Sequence, residues 1–239
     1  MRKMKKSLIL FLLAISGFCE YSFATNPAEV NSPNFYRRKR DNGHFRFDLS
    51  YGLGRRFTSI SAVNDAQLAS YLDRLKWGQN CSFMATYFFE DKGLGVIVDN
   101  FSSKNSTQVR VNYPDATSEV GIMSDNINIT FYGLTYSIRR FNQAETGMFI
   151  VTMGGGYMQF RNDGRLINPI VIKGESFGGT LNFAYDIKIA PRWWIGIKAG
   201  AISGALKHVT ANGQVVKTLF AKQESLSRGS LSLGIRLCL

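Results

Sequence analysis

Three cysteines and two histidines are all that 239 residues hold of the soft metal ligands. Neither type clusters at a zinc-like spacing, so a metal centre has no support. Two of the cysteines, Cys81 and Cys238, fall on non-adjacent stretches that the strand map below sets toward opposite ends, and a disulfide needs Cα atoms within about 7 Å, so none is expected. Long apolar runs are also missing. No stretch approaches the roughly 18 uninterrupted apolar residues of a membrane-spanning helix. If the chain crosses a bilayer it does so as a closed barrel, the other arrangement that pairs every backbone group. Proline is scarce, at 5 against 23 glycines, and acids are outnumbered, 17 against 29 basic residues. The surplus, +12 formally, suits phosphate-bearing partners. No basic cluster is interleaved with aromatics, which argues against nucleic acid and leaves lipid and lipopolysaccharide phosphates.

What is abundant is alternation. From Phe177 to Ile189, Phe177, Leu181, Phe183, Tyr185, Ile187 and Ile189 recur every second residue, with Gly178, Thr180, Asn182, Ala184, Asp186 and Lys188 between them. After Ala190-Pro191-Arg192 the pattern resumes, with Trp193, Ile195, Ile197, Ala199 and Ala201 opposite Trp194, Gly196, Lys198 and Gly200. A period of two marks strands. One face is greasy and the other small or charged, which suits a narrow barrel with lipid outside and side chains filling the middle.

The N-terminus has the form of a cleaved secretory signal over residues 1–24. Arg2, Lys3, Lys5 and Lys6 are followed by the apolar Leu8–Ile15 and by Ser22-Phe23-Ala24. Its loss leaves a formal charge of +9, because four basic groups and Glu20 go with it. A lipoprotein anchored at Cys19 is the alternative, but Phe18 stands where a small residue is expected. Residues 25–42, with Pro27, Pro33 and the run Arg37-Arg38-Lys39-Arg40, form a periplasmic lead-in, and the barrel occupies 43–239.

Eight strands are expected, with one amphipathic helix (Leu68, Tyr71, Leu72, Leu75) in the first surface loop. Ser102–Asp125 and Asn162–Glu175 are expected as loops. Ile127, Ile129 and Phe131 are expected to face outward, with a bulge at Gly133 moving the apolar set to Tyr132, Leu134, Tyr136 and Ile138. Asn212-Gly213 is a hairpin-turn pair expected to lie where strands seven and eight extend beyond the membrane. Connections run long, short, long, short, long, short, long, the order of an up-and-down barrel that enters from the periplasm. A soluble, ligand-binding barrel with its apolar face inward is the competing arrangement.

These features resemble a known family. Leu75-Lys76-Trp77-Gly78, the Tyr87–Gly95 stretch across the first tight turn and the Leu233-Gly234-Ile235-Arg236-Leu237 close are similar to small outer-membrane barrels of the protein A and protein X type, and within these to porin-like barrel proteins of Bacteroidetes. The resemblance implies an all-β, eight-stranded antiparallel up-and-down transmembrane barrel in the bacterial outer membrane, inserted by the barrel-insertion machinery. The chain departs from the usual close in ending on Leu239 instead of an aromatic.

Inward positions hold Arg46, Asp48, Asp99, Asp186, Lys198 and Arg236, expected to pair as a lumen charge network. Lys188 and Arg228, toward the two rims, are open to solvation instead. Trp77, Trp193 and Trp194 are expected as interfacial aromatics, and Tyr113 and Phe220 are loop aromatics. No catalytic, cofactor or metal residue is nominated. His44 and His208, the latter near Thr210, are not spaced for a catalytic triad, and Gly154-Gly155-Gly156 has no following helix and so is no phosphate loop. The expected role is therefore structural, envelope-supporting or surface-interacting, as a monomer meeting a surface ligand or host molecule. A narrow small-solute pore and a lipid-modifying enzyme are the alternatives.

Overall fold

The computed structural model describes residues 43–58, 66–112, 118–166, 168–206, 208–216 and 225–239. The signal at 1–24, the lead-in with its basic run, Tyr113 and Phe220 lie outside them. Ten strands and one helix are found among the described residues: β1 Phe45–Arg56, α1 Ala66–Arg74, β2 Trp77–Phe89, β3 Lys92–Asn112, β4 Ser118–Phe141, β5 Gly147–Leu166, β6 Asn168–Lys188, β7 Trp193–Gly204, β8 His208–Ala211, β9 Gln214–Val216 and β10 Arg228–Cys238. Strands β1 to β7 pair antiparallel with their chain neighbours. β10 closes the ring between β7 and β1, so the barrel has eight staves.

Closure follows from the alternation. Along β1, Phe45, Phe47, Leu49, Tyr51 and Leu53 are exposed while Arg46, Asp48 and Ser50 are buried. β2, β7 and β10 repeat the arrangement, with Phe83, Tyr87, Ile195, Ile197, Leu231 and Leu233 outside and Ser82, Thr86, Lys198, Ser232 and Arg236 inside. A water-soluble chain has no reason to expose so many large apolar side chains in one continuous band. From Phe45 to Leu53 that band runs about 27 Å along the stave, about 20 Å of height at a tilt of about 40°, close to the height of a lipid-facing belt.

Four expectations are corrected. Of the expected loop Ser102–Asp125, Ser102–Asn112 and Ser118–Asp125 are strand, since β3 and β4 stay in one register from Lys92↔Ile138 to Asn112↔Ser118. Asn162–Leu166 and Asn168–Glu175 are likewise strand, with β5 and β6 paired as far as Leu166↔Asn168. Beyond the lipid belt a stave no longer needs an apolar outer face, so its sequence turns polar while its backbone stays extended. The third correction concerns β4, which carries no bulge. Its register with β3 and β5 runs unbroken across Gly133, and Ile127, Ile129 and Phe131 are buried inside the barrel. Gly133 serves the lumen instead. A Cβ there would stand 2.6 Å from the Phe131 ring, so its absence makes room for that ring.

The fourth correction concerns Asn212-Gly213. With φ of 49° and 83°, the pair forms the tight turn its sequence demands. The hairpin it closes is β8–β9, however, and it docks beside the upper part of β6, from Ile172↔Ala211 to Glu175↔His208, instead of prolonging β7 and β10.

The helix forms where the three- and four-residue spacing placed it. It packs Leu68, Tyr71 and Leu72, with Leu75 just after it, against the apolar residues in the mouth of the barrel. It also meets β3 beyond the point where β2 stops pairing. There Gln67 Nε2 donates to the Gln108 carbonyl at 2.9 Å, and Asn105 Nδ2 donates to the Tyr71 carbonyl at 2.9 Å.

Candidate functional site

The interior is filled in layers. At the end with the short turns, Met148, Ile150, Ala184, Trp194 and Cys238 pack together with Phe141. Trp194 is 4 % exposed and its ring centroid lies 6.0 Å from that of Phe141. That corrects its expected place in an interfacial girdle. Parity turns it inward, and there it acts as a floor, whereas Trp193 and Trp77 are exposed on the outside. Arg139 lies over the Phe88 ring at 4.2 Å and donates to the carbonyls of Glu90, at 3.0 Å, and Gly43, at 3.1 Å.

Above this floor sits an ionic layer. Arg46 contacts Asp186 at 2.7 Å and Asp48 at 3.2 Å, and Arg236 contacts Asp48 at 2.8 Å and Asp186 at 3.2 Å. Lys198 approaches Asp48 at 3.8 Å and hydrogen-bonds Ser82, while Ser50 donates to Asp48. Arg236 also donates to the Gly196 carbonyl at 2.7 Å. All five charged groups are at most 3 % exposed. Asp99, the sixth charge expected in the network, instead pairs with Arg228 at 2.7 Å and accepts from Asn80 Nδ2 at 3.0 Å. Arg228 is 1 % exposed, so it is no solvated rim residue. Partners this deeply buried hold one another in place, because losing one leaves a bare charge that costs several kcal/mol.

The third layer is apolar. Met84, Ile97, Phe101, Ile127, Ile129, Phe131, Met158 and Phe160 point inward and meet Leu206, Leu226, Tyr71 and Leu75 coming from above. Sequence reasoning missed the β4 part of this layer, where Ile127, Ile129 and Phe131 are expected on the lipid side and lie inside. The signal was present in β4, where the exposed Leu134 and Tyr132 take the even positions and leave Phe131, Ile129 and Ile127 on the other face. Glycines accept the rings: a Cβ at Gly54 or Gly78 would stand 2.9 or 2.7 Å from Phe101. Apolar floor, ion pairs and apolar stopper thus occupy the described interior at three levels.

Above the mouth, β3 to β6 stand up as a wall. Tyr71 Oη donates to Asp125 at 2.6 Å, and Asn162 Nδ2 donates to the other oxygen of the same carboxylate at 2.6 Å. Burial, and next the Asp125 carboxylate it bonds, push the Tyr71 phenol above its ordinary value. Beside this contact opens a polar cleft of about 490 Å³ lined by Lys104, Asn105, Ser106, Ser124, Asp125, Asn126 and Asp163. His44 stacks on Tyr87 at the opposite end, with ring centroids 5.8 Å apart. His208 opens β8, register partner of Glu175. The two histidines are therefore not brought together. Cys81 and Cys238 are free. No group of three His, Cys, Asp or Glu fit to hold a metal ion occurs among the described residues.

No protein family pattern and no curated protein matches the chain. Solved structures do. Neisserial surface protein A superposes with a TM-score of 0.50 at 12% identity, over 82% of this chain and 97% of that one. The likeness is one of fold. A major outer membrane protein from Thermus thermophilus gives a TM-score of 0.48 at 11% identity, over 82% and 99% of the two chains. The attachment invasion locus protein of Yersinia pestis, in complex with the heparin analogue sucrose octasulfate, gives 0.43 at 10% identity, over 81% and 99%. The eight-stranded antiparallel ring with its exposed apolar belt is thus a small membrane barrel in architecture.

Proposed function

We propose that this protein is a non-conducting outer-membrane barrel whose work is done by the strands that rise beyond the lipid. The observation that carries the reading is the contrast between a lumen filled at three levels and a wall in which β3 and β4 remain paired up to Asn112↔Ser118. A pore needs the interior, and here the interior is taken. A scaffold needs a rigid surface, and paired strands supply one more firmly than loops would. The short turns lie at the periplasmic side and the raised hairpins outside, following the usual asymmetry of such barrels. The signal-like start at 1–24 supports export to the outer membrane, and the motifs across the first tight turn support kinship with porin-like barrels of Bacteroidetes. The barrel-insertion machinery delivers it, and it acts as a monomer in a structural or surface-binding role.

Single-channel recording on purified protein in a planar bilayer tests this. Folded barrel should give no defined conductance steps; regular steps would restore the small-solute pore. Mass spectra of lipid A with and without the protein should coincide, and His208→Ala should change nothing, whereas an altered lipid mass would establish the enzyme alternative.

A further inference from the structure

Register defines an unusual row on the outer surface. Ser102 of β3 faces Asn128 of β4, Asn128 faces Arg161 of β5, Arg161 faces Lys173 of β6, and Lys173 faces Thr210 of β8. All five lie on the outward parity of their strands, and all are hydrogen-bond donors with no carboxylate among them. Four residues down each of the four staves lies the row Val98, Tyr132, Tyr157 and Phe177, the upper margin of the greasy belt. Four residues along a tilted stave amount to about 10 Å of height. A headgroup layer is about 5–8 Å deep, and a lysine or arginine stem bends down across the remainder. Because the register runs at right angles to tilted staves, each step across it shifts the height by about 3 Å, so Arg161 and Lys173 stand near the level of the outer-leaflet phosphates while Ser102 and Thr210 lie a few ångströms to either side.

Its charges are arranged for an anion. Arg161 and Lys173 are direct cross-strand partners, an arrangement that repels unless something negative sits between them. Asp163 takes only one side of Arg161, through Nε at 2.9 Å, and the described residues give Lys173 no ion pair. Lys104 and Arg165 add two more outward cations on the same wall, against Asp163 and Glu175. Resting on the reading that the raised hairpins face outward, we infer that this row binds the phosphate groups of the outer-leaflet glycolipid, with Arg161 and Lys173 as the paired grip and Ser102, Asn128 and Thr210 as flanking donors. The grip fixes the barrel's height and orients its wall among the glycolipid headgroups.

The test uses full-length protein in phospholipid vesicles doped with labelled lipid A, read by energy transfer from the protein's tryptophans to the label. Bisphosphorylated lipid A should gather around the barrel, and lipid A stripped of both phosphates should not. R161Q/K173Q should weaken the association about thirtyfold, given the usual effect of each cation near a charged surface. Asp163→Asn, which frees the other side of Arg161, should strengthen it, and Arg140→Gln at the short-turn end should leave it unchanged. Equal transfer for the two lipids overturns the assignment, and needs no variant to fold. Displacement by excess inorganic phosphate would also overturn it, showing a site for the free ion. A chain that neither inserts nor changes gel mobility on heating would instead sink the membrane reading. An inserted barrel indifferent to phosphate sinks only this inference.

Discussion

Replacing Asp48 with Asn is expected to destabilise the barrel by about 3–5 kcal/mol, the range for breaking one side of a buried ionic cluster. Asp48 sits among Arg46 at 3.2 Å, Arg236 at 2.8 Å and Lys198 at 3.8 Å, and accepts from Ser50. The neutral amide keeps the volume but removes the anion, so Arg46 and Arg236 are left with Asp186 alone and Lys198 loses the carboxylate it approaches. An exposed pair makes the comparison: Arg140 and Asp91 meet at 3.2 Å with 54 % and 34 % exposure, and Asp91→Asn should cost no more than about 1 kcal/mol. Both variants are refolded into the same vesicles and unfolded in urea, followed by tryptophan fluorescence and by mobility on an unboiled gel. At an ordinary denaturant slope of about 2–3 kcal/mol per molar, Asp48→Asn should lower the midpoint by about 1–2 M. If the two variants shift the midpoint equally, burial does not amplify the lumen charges and the layered interior is wrong.

Gly133→Val should lower stability by about 1–3 kcal/mol in the same assay, since its first new carbon meets the Phe131 ring at 2.6 Å, while Gly155→Ala, whose nearest neighbour is 3.9 Å away, should be neutral. Trp194→Ala should cost about 3–5 kcal/mol by emptying the floor of the lumen, and Trp193→Ala, whose ring is on the lipid side, should cost less. Tyr71→Phe should cost about 1–2 kcal/mol and raise hydrogen exchange across Ala66–Arg74, because Asp125 loses its phenolic donor. The sign with pH follows from the same bond. A phenol held above its usual 10.0 keeps the folded state's proton, so the contribution is complete below pH 10.0 and fades as pH climbs beyond it. The ultraviolet titration of the wild type minus that of Tyr71→Phe should show the lost tyrosine ionising above the usual 10.0.

Much of the ring was legible because lipid and lumen impose opposite demands on successive residues. In β1, β2, β7 and β10 the two faces differ so strongly that parity alone sorts Leu49 from Ser50 and Ile197 from Lys198. The reading failed where that contrast fades. Around Ile127–Phe131 the lumen itself is apolar, so hydrophobicity no longer tells inside from outside, and a register slip was invoked to explain a sequence that has none. Above the belt β3 and β4 turn largely polar, and Ser102–Asn112 and Ser118–Asp125 then resemble a loop in composition while their pairing makes them a sheet. The candidate site divides the same way. Parity puts Arg46, Asp48, Asp186, Lys198 and Arg236 on the inward face, but which charges meet depends on ring closure, which brings Asp186 to Arg46 across 140 positions of chain. Parity likewise turned Trp194 inward, although its aromatic character had suggested the rim.

The seat of α1 against β3 has a consequence for a crowded surface. Past Ser102, β3 has lost its β2 neighbour, and a bare margin of that kind offers its carbonyls to whatever extended chain drifts by. Gln67 already occupies the Gln108 carbonyl, and Tyr71 and Asn105 close the stretch below it. The helix thus hems part of this raised margin, which makes it a poorer template for strand pairing between neighbouring molecules.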